Sequence, residues 1–190
     1  LTFACGQTIR QPLIVGLMTR ALCLEQRSRV LEIGTGAGYQ TAVLARLSRL
    51  VYTVERYRTL MSAAEARFKT LGLTNVITRF GDGGEGWPEQ APFDRILVTA
   101  AAPETPKTLL SQLKPNGVLV APIGRGALQT LRRYAGDGEG GFHEEDMGDV
   151  RFVPLLPGTA KEMESLAVPH RRAGSRHGLI YGVGHVGFGG

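Results

Sequence analysis

Hydrophobic and polar positions follow two different periods along the first part of this chain. Residues 12–24 place apolar side chains at the three- and four-residue spacing of a helix with one buried face. The run from Arg29 to Ile33 is apolar except at its first residue and Glu32, which is typical of a parallel strand covered on both faces. Helical spacing returns over residues 39–47. The chain therefore begins with a predicted helix, strand and helix.

The same rhythm continues to about residue 123. Strands are predicted over residues 50–54, 76–80, 93–99 and 117–123, and helices over 58–71 and 105–113. Gly72 is expected to stop the first of these helices, and Thr105 and Pro106 are expected to be the N-cap and first residue of the second. Strands that alternate with helices in this way predict an α/β fold with a mainly parallel sheet and right-handed crossovers.

The pattern changes at the end of this region. Residues 129–134 and 150–155 predict two strands, and the glycine-rich, acidic stretch 136–148 between them shows no helical period. Strands joined without a crossover helix form a hairpin, so we expect the sheet to end in an antiparallel edge.

The apolar residues show no regular period after Pro157. Residues 161–190 contain His170, His177 and His185, whose spacing matches no metal-ligand motif. We therefore predict one domain over residues 1–160, followed by a flexible or loosely docked tail and no bound metal. Because the chain starts at Leu1, close to a motif described below, we also expect that an N-terminal segment is missing.

Composition narrows the function classes. A chain of 190 residues is long enough for one domain with a large core. Its net charge is +5, but the basic residues are scattered among acidic ones, which favours a solvated surface over a nucleic-acid partner. The sequence has no membrane-length apolar run and only two cysteines, Cys5 and Cys23, which we interpret as buried or incidental thiols. We expect a cytoplasmic monomer without a membrane partner.

Three alternating glycines follow the first predicted strand at once. Gly34, Gly36 and Gly38 are separated by Thr35 and Ala37, and a predicted helix begins immediately afterwards. Glycine permits the positive φ angles of a tight turn and lets a ligand approach the backbone N–H groups at a helix N-terminus. The spacing differs from the G-x-G-x-x-G of most dinucleotide-binding folds, and glycine triplets also occur in loops that bind nothing.

Acidic residues at two neighbouring strand ends add to this signal. Glu55 ends the second predicted strand, about 20 residues after the glycine turn, where a carboxylate typically accepts hydrogen bonds from ribose hydroxyls. Asp82 follows the third strand and is suited to accept from an exocyclic amine such as that of adenine. Either residue alone fits a solvated strand-end acid, but with the glycine turn they predict an adenosine site.

Glu32 narrows the choice of adenosine ligand. It lies inside the first strand, two residues before Gly34, and its negative charge disfavours a pyrophosphate. The same charge suits the cationic amino-acid end of S-adenosylmethionine.

At this point the sequence resembles the protein-L-isoaspartate O-methyltransferases, a family of S-adenosylmethionine-dependent methyltransferases. The resemblance runs from Gly6 to about Gly158. It rests on Gly6-Gln7-Thr8-Ile9, Gln11-Pro12, the run from Leu31 to Thr41, Gly81-Asp82-Gly83, Ala91-Pro92-Phe93-Asp94, Thr99-Ala100-Ala101-Ala102-Pro103, Gln112-Leu113-Lys114-Pro115 and Val150-Arg151-Phe152-Val153-Pro154-Leu155. It implies a Rossmann-like, doubly wound, seven-stranded methyltransferase sheet with an antiparallel C-terminal hairpin.

The resemblance also implies an activity and a set of site residues. The expected reaction transfers a methyl group from S-adenosylmethionine to the free carboxylate of an L-isoaspartyl residue in a damaged protein or peptide, which starts repair through a succinimide. No metal is implied, and the product is S-adenosylhomocysteine. The implied cofactor-binding residues are Gln7, Glu32, Gly34, Thr35, Gly36, Gly38, Glu55, Arg56, Asp82, Gly83 and Thr99. The implied substrate-binding residues are Ala100, Ala101, Ala102, Val153 and Leu155, and the implied catalytic ones are Thr8, Ile9 and Arg10.

Arg10 departs from the family pattern, which usually has a serine at this position. An arginine would pair with the substrate carboxylate, point to solvent, or fill the groove and weaken activity. Arg10 leaves two alternative functions open. One is a methyltransferase with the same fold that acts on another peptide carboxylate, and the other is a catalytically weak cofactor-binding protein. A nicotinamide-dependent oxidoreductase is disfavoured by the glycine spacing and by the absence of a catalytic Tyr-Lys or His arrangement.

Overall fold

The computed structural model describes residues 12–160; residues 1–11 and 161–190 lie outside the described part of the chain. The helices are α1 (Pro12–Ala21), α2 (Tyr39–Leu47), α3 (Arg58–Thr70) and α4 (Lys107–Leu110). The strands are β1 (Arg29–Ile33), β2 (Leu50–Glu55), β3 (Val76–Phe80), β4 (Phe93–Val98), β5 (Leu113–Ile123), β6 (Gln129–Gly136) and β7 (Phe142–Val150). Two single-turn 3-10 helices, Gly83–Glu85 and Pro88–Gln90, lie between β3 and β4.

The seven strands form one sheet in the order β3-β2-β1-β4-β5-β6-β7. The pairs from β3 to β5 are parallel, and β6 and β7 add in antiparallel fashion. This order confirms the predicted fold class. Because β1 lies between β2 and β4, the turn after β1 is flanked on both sides by strands whose carboxyl ends point the same way.

Both faces of the central strands are buried, as their apolar runs predict. One face of β1 carries Leu31 and Ile33, which pack with α4 residues such as Leu109. The other face carries Val30, which packs with Met18 of α1 and with α2. Glu32 points to the same face as Val30, since successive side chains of a strand alternate.

The predicted C-terminal hairpin is correct, but its second strand is misplaced. β7 occupies Phe142–Val150, inside the stretch that the sequence pattern assigned to a loop, and residues 151–155 form only an isolated bridge at Pro154. β7 is an exposed edge strand, so its polar residues need no apolar alternation. Two of its acids, Glu144 and Glu145, form ion pairs with Arg132 and Arg133 of β6.

The helix predicted over residues 105–113 is also wrong in its bounds. α4 has only four residues, Pro106 is its N-cap, and Leu113 belongs to β5. The Thr105 hydroxyl does not cap the helix, because it lies 3.2 Å from the Tyr134 hydroxyl.

The C-terminal end of α1 is held by arginines from the sheet. The helix ends at Ala21, three residues earlier than its apolar pattern predicts. Arg133 Nε donates to the Ala21 carbonyl at 2.8 Å, and Arg95 donates to the Cys23 carbonyl. Cys23 is exposed rather than buried, while Cys5 lies outside the described residues. None of the helices within 12–160 combines the length and apolar character needed to cross a membrane.

Candidate active site at the carboxyl ends of the strands

The turn after β1 brings the predicted glycines to the centre of the sheet edge. Gly34, Gly36 and Gly38 have φ angles of 92°, 53° and 82°, a region that glycine occupies without strain. Gly34 also lies against β4, because a Cβ at this position would come within 2.5 Å of Thr99 Oγ1. Thr99 is buried, and its hydroxyl lies 2.7 Å from both the Ile33 and the Gly34 carbonyl oxygens. The turn is therefore closed against its neighbouring strand.

Glu55, at the end of β2, is held beside this turn. Its carboxylate accepts hydrogen bonds from the Gly36 N–H at 2.8 Å and from the Tyr57 N–H at 3.0 Å. The residue is only 4% exposed. One backbone donor on each oxygen fixes the orientation of the carboxylate and leaves lone pairs for further donors.

Asp82, after β3, has a similar environment. Its Oδ1 accepts from the Gly84 N–H at 2.8 Å, and its Oδ2 accepts from the Gly158 N–H at 2.6 Å. The neighbouring Gly83 is buried, and a Cβ at that position would overlap the side chain of Ile33. Only glycine therefore allows the loop after β3 to approach the end of β1.

Glu32 lies in the protein interior beneath the glycine turn, and its carboxylate does not reach the surface of the site. The side chain is fully buried, and its carboxylate accepts hydrogen bonds from Thr41 Oγ1 at 2.5 Å and Thr53 Oγ1 at 2.7 Å. The Thr53 hydroxyl also lies 2.6 Å from that of Thr35, within the turn. A chain of hydroxyl groups thus connects the buried acid to the turn.

The segment after β7, residues 151–160, crosses the same edge of the sheet; we call it the strap. Its Val153 carbonyl accepts from the Ala101 N–H at 2.8 Å, and its Leu155 N–H donates to the Ala101 carbonyl at 2.8 Å. Further on, the Ala160 N–H donates to the Arg56 carbonyl at 2.8 Å. With the Gly158 contact to Asp82, the strap joins the ends of β4, β3 and β2.

A cavity of about 480 Å³ opens beside the strap. Ala102 and Leu155 border it on the side of the predicted substrate residues, and Glu104 and Lys107 contribute charged groups of both signs. Ala100 lies at the start of this loop and is partly exposed. Of the predicted substrate residues, Ala102 and Leu155 therefore line this cavity.

Of the remaining predicted site residues, Arg56 lies within the described part of the chain. The Arg56 guanidinium packs 4.9 Å from the centre of the Tyr57 ring, beside Glu55. The four predicted residues Gln7, Thr8, Ile9 and Arg10 lie outside the described residues. Within residues 12–160, no group of three or more His, Cys, Asp or Glu side chains is arranged to hold a metal ion.

Sequence reasoning missed the residues that support the site. Thr53 is the register partner of Glu32 across β1 and β2, and a threonine opposite a glutamate in two buried strands is a signal that was present in the sequence. The sequence contains no such signal for the N–H groups of Gly158 and Tyr57, because any residue except proline supplies a backbone N–H.

The acceptor groups at this edge fit an adenosine-containing cation. Within the described residues, neither Glu55 nor Asp82 forms an ion pair with lysine or arginine. Both carboxylates therefore have oxygen lone pairs that can accept from ribose hydroxyls and an adenine amine. Three acids around one glycine turn would repel a pyrophosphate.

Comparison with known proteins decides the family. A sequence model of the family described as protein-L-isoaspartate(D-aspartate) O-methyltransferase (PCMT) matches residues 1–160. The chain belongs to this family. The match confirms the predicted family, the predicted enzyme class and the predicted use of S-adenosylmethionine.

Curated relatives in the family are close in sequence. A protein-L-isoaspartate O-methyltransferase of Caulobacter vibrioides (strain NA1000 / CB15N) is 76% identical over 162 residues, which cover 85% of this chain and 73% of the relative. The protein of the same name from Maricaulis maris (strain MCS10) is 61% identical over 163 residues, covering 86% of this chain and 76% of the relative.

Solved structures of the family share the fold. One protein-L-isoaspartate O-methyltransferase superposes with a TM-score of 0.71 at 31% identity, covering 85% of this chain but only 51% of its own. A second, described as a putative protein-L-isoaspartate O-methyltransferase from Plasmodium falciparum in complex with S-adenosyl-L-homocysteine, has a TM-score of 0.69 at 27% identity. It covers 82% of this chain and 79% of its own. The chain thus spans about half of the first solved protein and most of the second.

Proposed function

We propose that this chain transfers a methyl group from S-adenosylmethionine to the free carboxylate of L-isoaspartyl residues in damaged proteins or peptides. The observation that carries the proposal is the family match over residues 1–160, which includes every strand end that meets at the glycine turn. We assign the activity to residues 1–160 and keep the interpretation of residues 161–190 as a tail.

The donor is assigned to the glycine turn and its two flanking acids. Gly34, Gly36 and Gly38 are proposed to face its methionine part, and Glu55 its ribose. Asp82 and Gly83 are proposed to face the adenine. Backbone donors already orient the Glu55 and Asp82 carboxylates, so little freedom is lost when a ligand donates to them.

The reaction requires positioning more than proton transfer. A carboxylate with a pKa near 3.9 is ionised at neutral pH, so the nucleophile needs no general base. S-adenosylmethionine, when bound, supplies an electrophilic methyl group on a positively charged sulfur. The protein's task is to hold a substrate oxygen in line with that methyl group and to exclude water, and positioning of this kind lowers barriers by several kcal/mol or more.

The peptide is assigned to the recess that Ala102 and Leu155 line and to the outer edge of the strap. Val153 and Leu155 direct a carbonyl and an N–H to Ala101, which makes this part of the strap a strand-like wall. A strand uses alternate residues on its two edges, so the outer edge offers the Pro154 carbonyl to a substrate N–H. An extended peptide chain fits this arrangement better than a small molecule does.

The proposal also covers the localisation, oligomeric state and partners of the protein. We infer a cytoplasmic monomer whose partners are isoaspartyl-containing proteins or peptides, without a nucleic-acid or membrane partner. The mixing of basic and acidic residues along the sequence supports this inference. Light scattering on the purified chain would test the monomer.

The activity is tested with an isoaspartyl peptide and methyl-labelled S-adenosylmethionine. We expect a base-labile methyl ester on the isoaspartyl peptide and none on its aspartyl isomer, which serves as the matched control. Methylation of the aspartyl isomer instead would indicate another carboxylate methyltransferase. Donor binding without turnover on either peptide would contradict the proposed activity.

Arg10 is tested in the same assay. If its guanidinium pairs with the substrate carboxylate and lowers its nucleophilicity, Arg10→Ser should raise kcat. If it fills the groove, the same change should lower KM. An Arg10→Ser variant with unchanged kcat and KM would assign the guanidinium to solvent.

A further inference from the structure

Gln112 is a buried amide in a motif that the proposed function does not use. It lies between α4 and β5, in the run Gln112-Leu113-Lys114-Pro115, and it is only 5% exposed. A side-chain amide carries an acceptor oxygen and a donor nitrogen, and in the protein interior each is costly to leave without a partner. The partners of Gln112 therefore indicate which part of the fold needs an amide at this position.

Both hydrogen bonds of the Gln112 side chain reach one loop, residues 82–87 after β3. Gln112 Oε1 accepts from the Trp87 N–H at 2.8 Å, and Gln112 Nε2 donates to the Glu85 carbonyl at 2.8 Å. The amide thus bonds to the backbone on both sides of Gly86. A group that pairs with an N–H and a C=O of the same segment holds it as a neighbouring strand does in a sheet.

Gly86 allows the amide to come this close to the loop. Its φ is 64°, and a Cβ at this position would come within 2.5 Å of Gln112 Oε1 and 2.8 Å of Gln112 Nε2. Gly72 has the same φ of 64°, but no atom of the described residues lies within 4 Å of its Cβ position. The two glycines therefore share a backbone conformation and differ in the contact with the amide.

The loop that Gln112 holds begins at Asp82, which is proposed to face the adenine. Trp87 anchors its other end, because its ring packs edge to face on the Tyr52 ring with 5.5 Å between the ring centres. Within the loop, the Gly84 N–H donates to Asp82 Oδ1 at 2.8 Å. Gly84 directly precedes Glu85, so a shift of Glu85 would move the donor that orients the Asp82 carboxylate.

We propose that Gln112 is a positioning residue that holds the Asp82 carboxylate where it accepts from the 6-amino group of adenine. The inference rests on the proposed function and deepens it, because it names what fixes the adenine side of the site. Gln112 acts through Glu85 and Gly84. The preference of the site for an adenine amine therefore depends on a side chain at the start of β5.

The experiment compares S-adenosylhomocysteine with S-inosylhomocysteine by calorimetry. The second ligand has an oxygen in place of the 6-amino group, so it lacks the amine that donates to Asp82. We expect wild type to bind it roughly 20-fold more weakly, because a site that hydrogen-bonds a group rejects an analogue without that group. The readout is the ratio of the Kd of S-inosylhomocysteine to that of S-adenosylhomocysteine, because a partly unfolded fraction affects both values equally.

Two substitutions of Gln112 grade the effect. Gln112→Leu removes both hydrogen bonds to the loop, and we expect the ratio to fall about fivefold because Asp82 loses its fixed orientation. Gln112→Glu keeps an acceptor for the Trp87 N–H, but its carboxylate has no donor for the Glu85 carbonyl, so we expect a fall of about twofold. A residue with only a structural role would weaken both ligands together and leave the ratio unchanged.

Gly86→Ala tests the same contact without changing Gln112. Its Cβ would displace the amide, and we expect the ratio to fall about threefold. Gly72→Ala is the matched control and should keep the wild-type ratio. A wild-type ratio in Gln112→Leu, or in Gly86→Ala if Gln112→Leu does not fold, would overturn the inference and leave the proposed function intact. Equal binding of both ligands by the wild type would overturn the assignment of Asp82 to the adenine, and the inference with it.

Discussion

The two ends of the parallel strands hold their acidic side chains in opposite ways. At the amino ends, Asp94 of β4 accepts from Lys114 Nζ and from the Arg29 N–H, both at 2.8 Å. At the carboxyl ends, Glu55 and Asp82 accept from backbone N–H groups, with no ion pair to lysine or arginine among residues 12–160. The first arrangement pairs the acid with a lysine of the protein, whereas the second leaves carboxylate lone pairs for donors of a ligand.

The pKa of Asp94 reflects its hydrogen bonds to Lys114 and Arg29. Burial raises the pKa of this carboxyl, but the hydrogen bond from Lys114 and that from the Arg29 N–H outweigh burial and hold the pKa below its ordinary value. Asp94, at the amino end of β4, therefore contributes to the stability of the fold. The carboxyl-end acids keep acceptor capacity for a ligand that brings donors of its own.

The largest expected effect comes from removing a carboxyl-end acid. Glu55→Ala should raise the Kd of S-adenosylhomocysteine about 100-fold, because charged hydrogen bonds contribute roughly 1.5–3 kcal/mol each. Calorimetry checks this value. Glu65→Ala on α3 is the matched control, since Glu65 is exposed and bonds only to Thr78 in the described structure. Equal affinities in the two variants would remove Glu55 from the proposed site.

The glycine turn can be tested against a second glycine of positive φ. Gly34→Ala should lower the free energy of unfolding by about 2–3 kcal/mol, because its Cβ would meet Thr99 and its φ is 92°. Gly72→Ala has a φ of 64° with no atom within 4 Å of the added Cβ, so only about 1 kcal/mol of backbone strain is expected. Chemical denaturation measures both. If the two variants lose similar amounts of unfolding free energy, the close approach of Gly34 to Thr99 does not contribute to stability.

The amino-end pair should affect stability and not binding. Asp94→Asn is expected to lower the free energy of unfolding by about 1 kcal/mol at neutral pH, a modest value because Lys114 is partly exposed. The folded pKa lies below the ordinary 3.8, so this contribution is present above about pH 4 and is lost as the pH falls through the folded pKa. Denaturation across that range should show wild type and variant converging. A change in S-adenosylhomocysteine affinity would contradict the division between the two ends.

The smallest effect is expected in the strap. Ala160→Pro removes the N–H that donates to the Arg56 carbonyl beside Glu55. Calorimetry should show S-adenosylhomocysteine affinity about threefold weaker, because the loop that carries the Tyr57 amide is less well held. Ala160→Ser keeps the N–H and should bind as the wild type does. If both variants bind alike, the strap does not support the ribose side of the site.

The sequence alone was sufficient for most of the parallel core elements and for the family. The apolar runs of β1 and β3 and the helical period of α2 predict those elements with their observed bounds. Positive φ angles at Gly34, Gly36 and Gly38 follow from the same local chemistry. The opening run Gly6-Gln7-Thr8-Ile9 and the alanine run Thr99-Ala100-Ala101-Ala102-Pro103 indicate the family without any coordinates.

Tertiary structure decided what the local pattern leaves undetermined. The edge strand β7 forms from acidic residues because β6 offers arginines and free backbone groups to pair with, and no apolar alternation marks such a strand. α4 is short because residues from Leu113 onward pair with β4. The direction of Glu32, the closure of Gly34 against Thr99 and the contact of Gly158 with Asp82 all join residues distant in sequence. Such contacts depend on which surfaces the folded sheet brings together, and a linear pattern of residue types does not specify them.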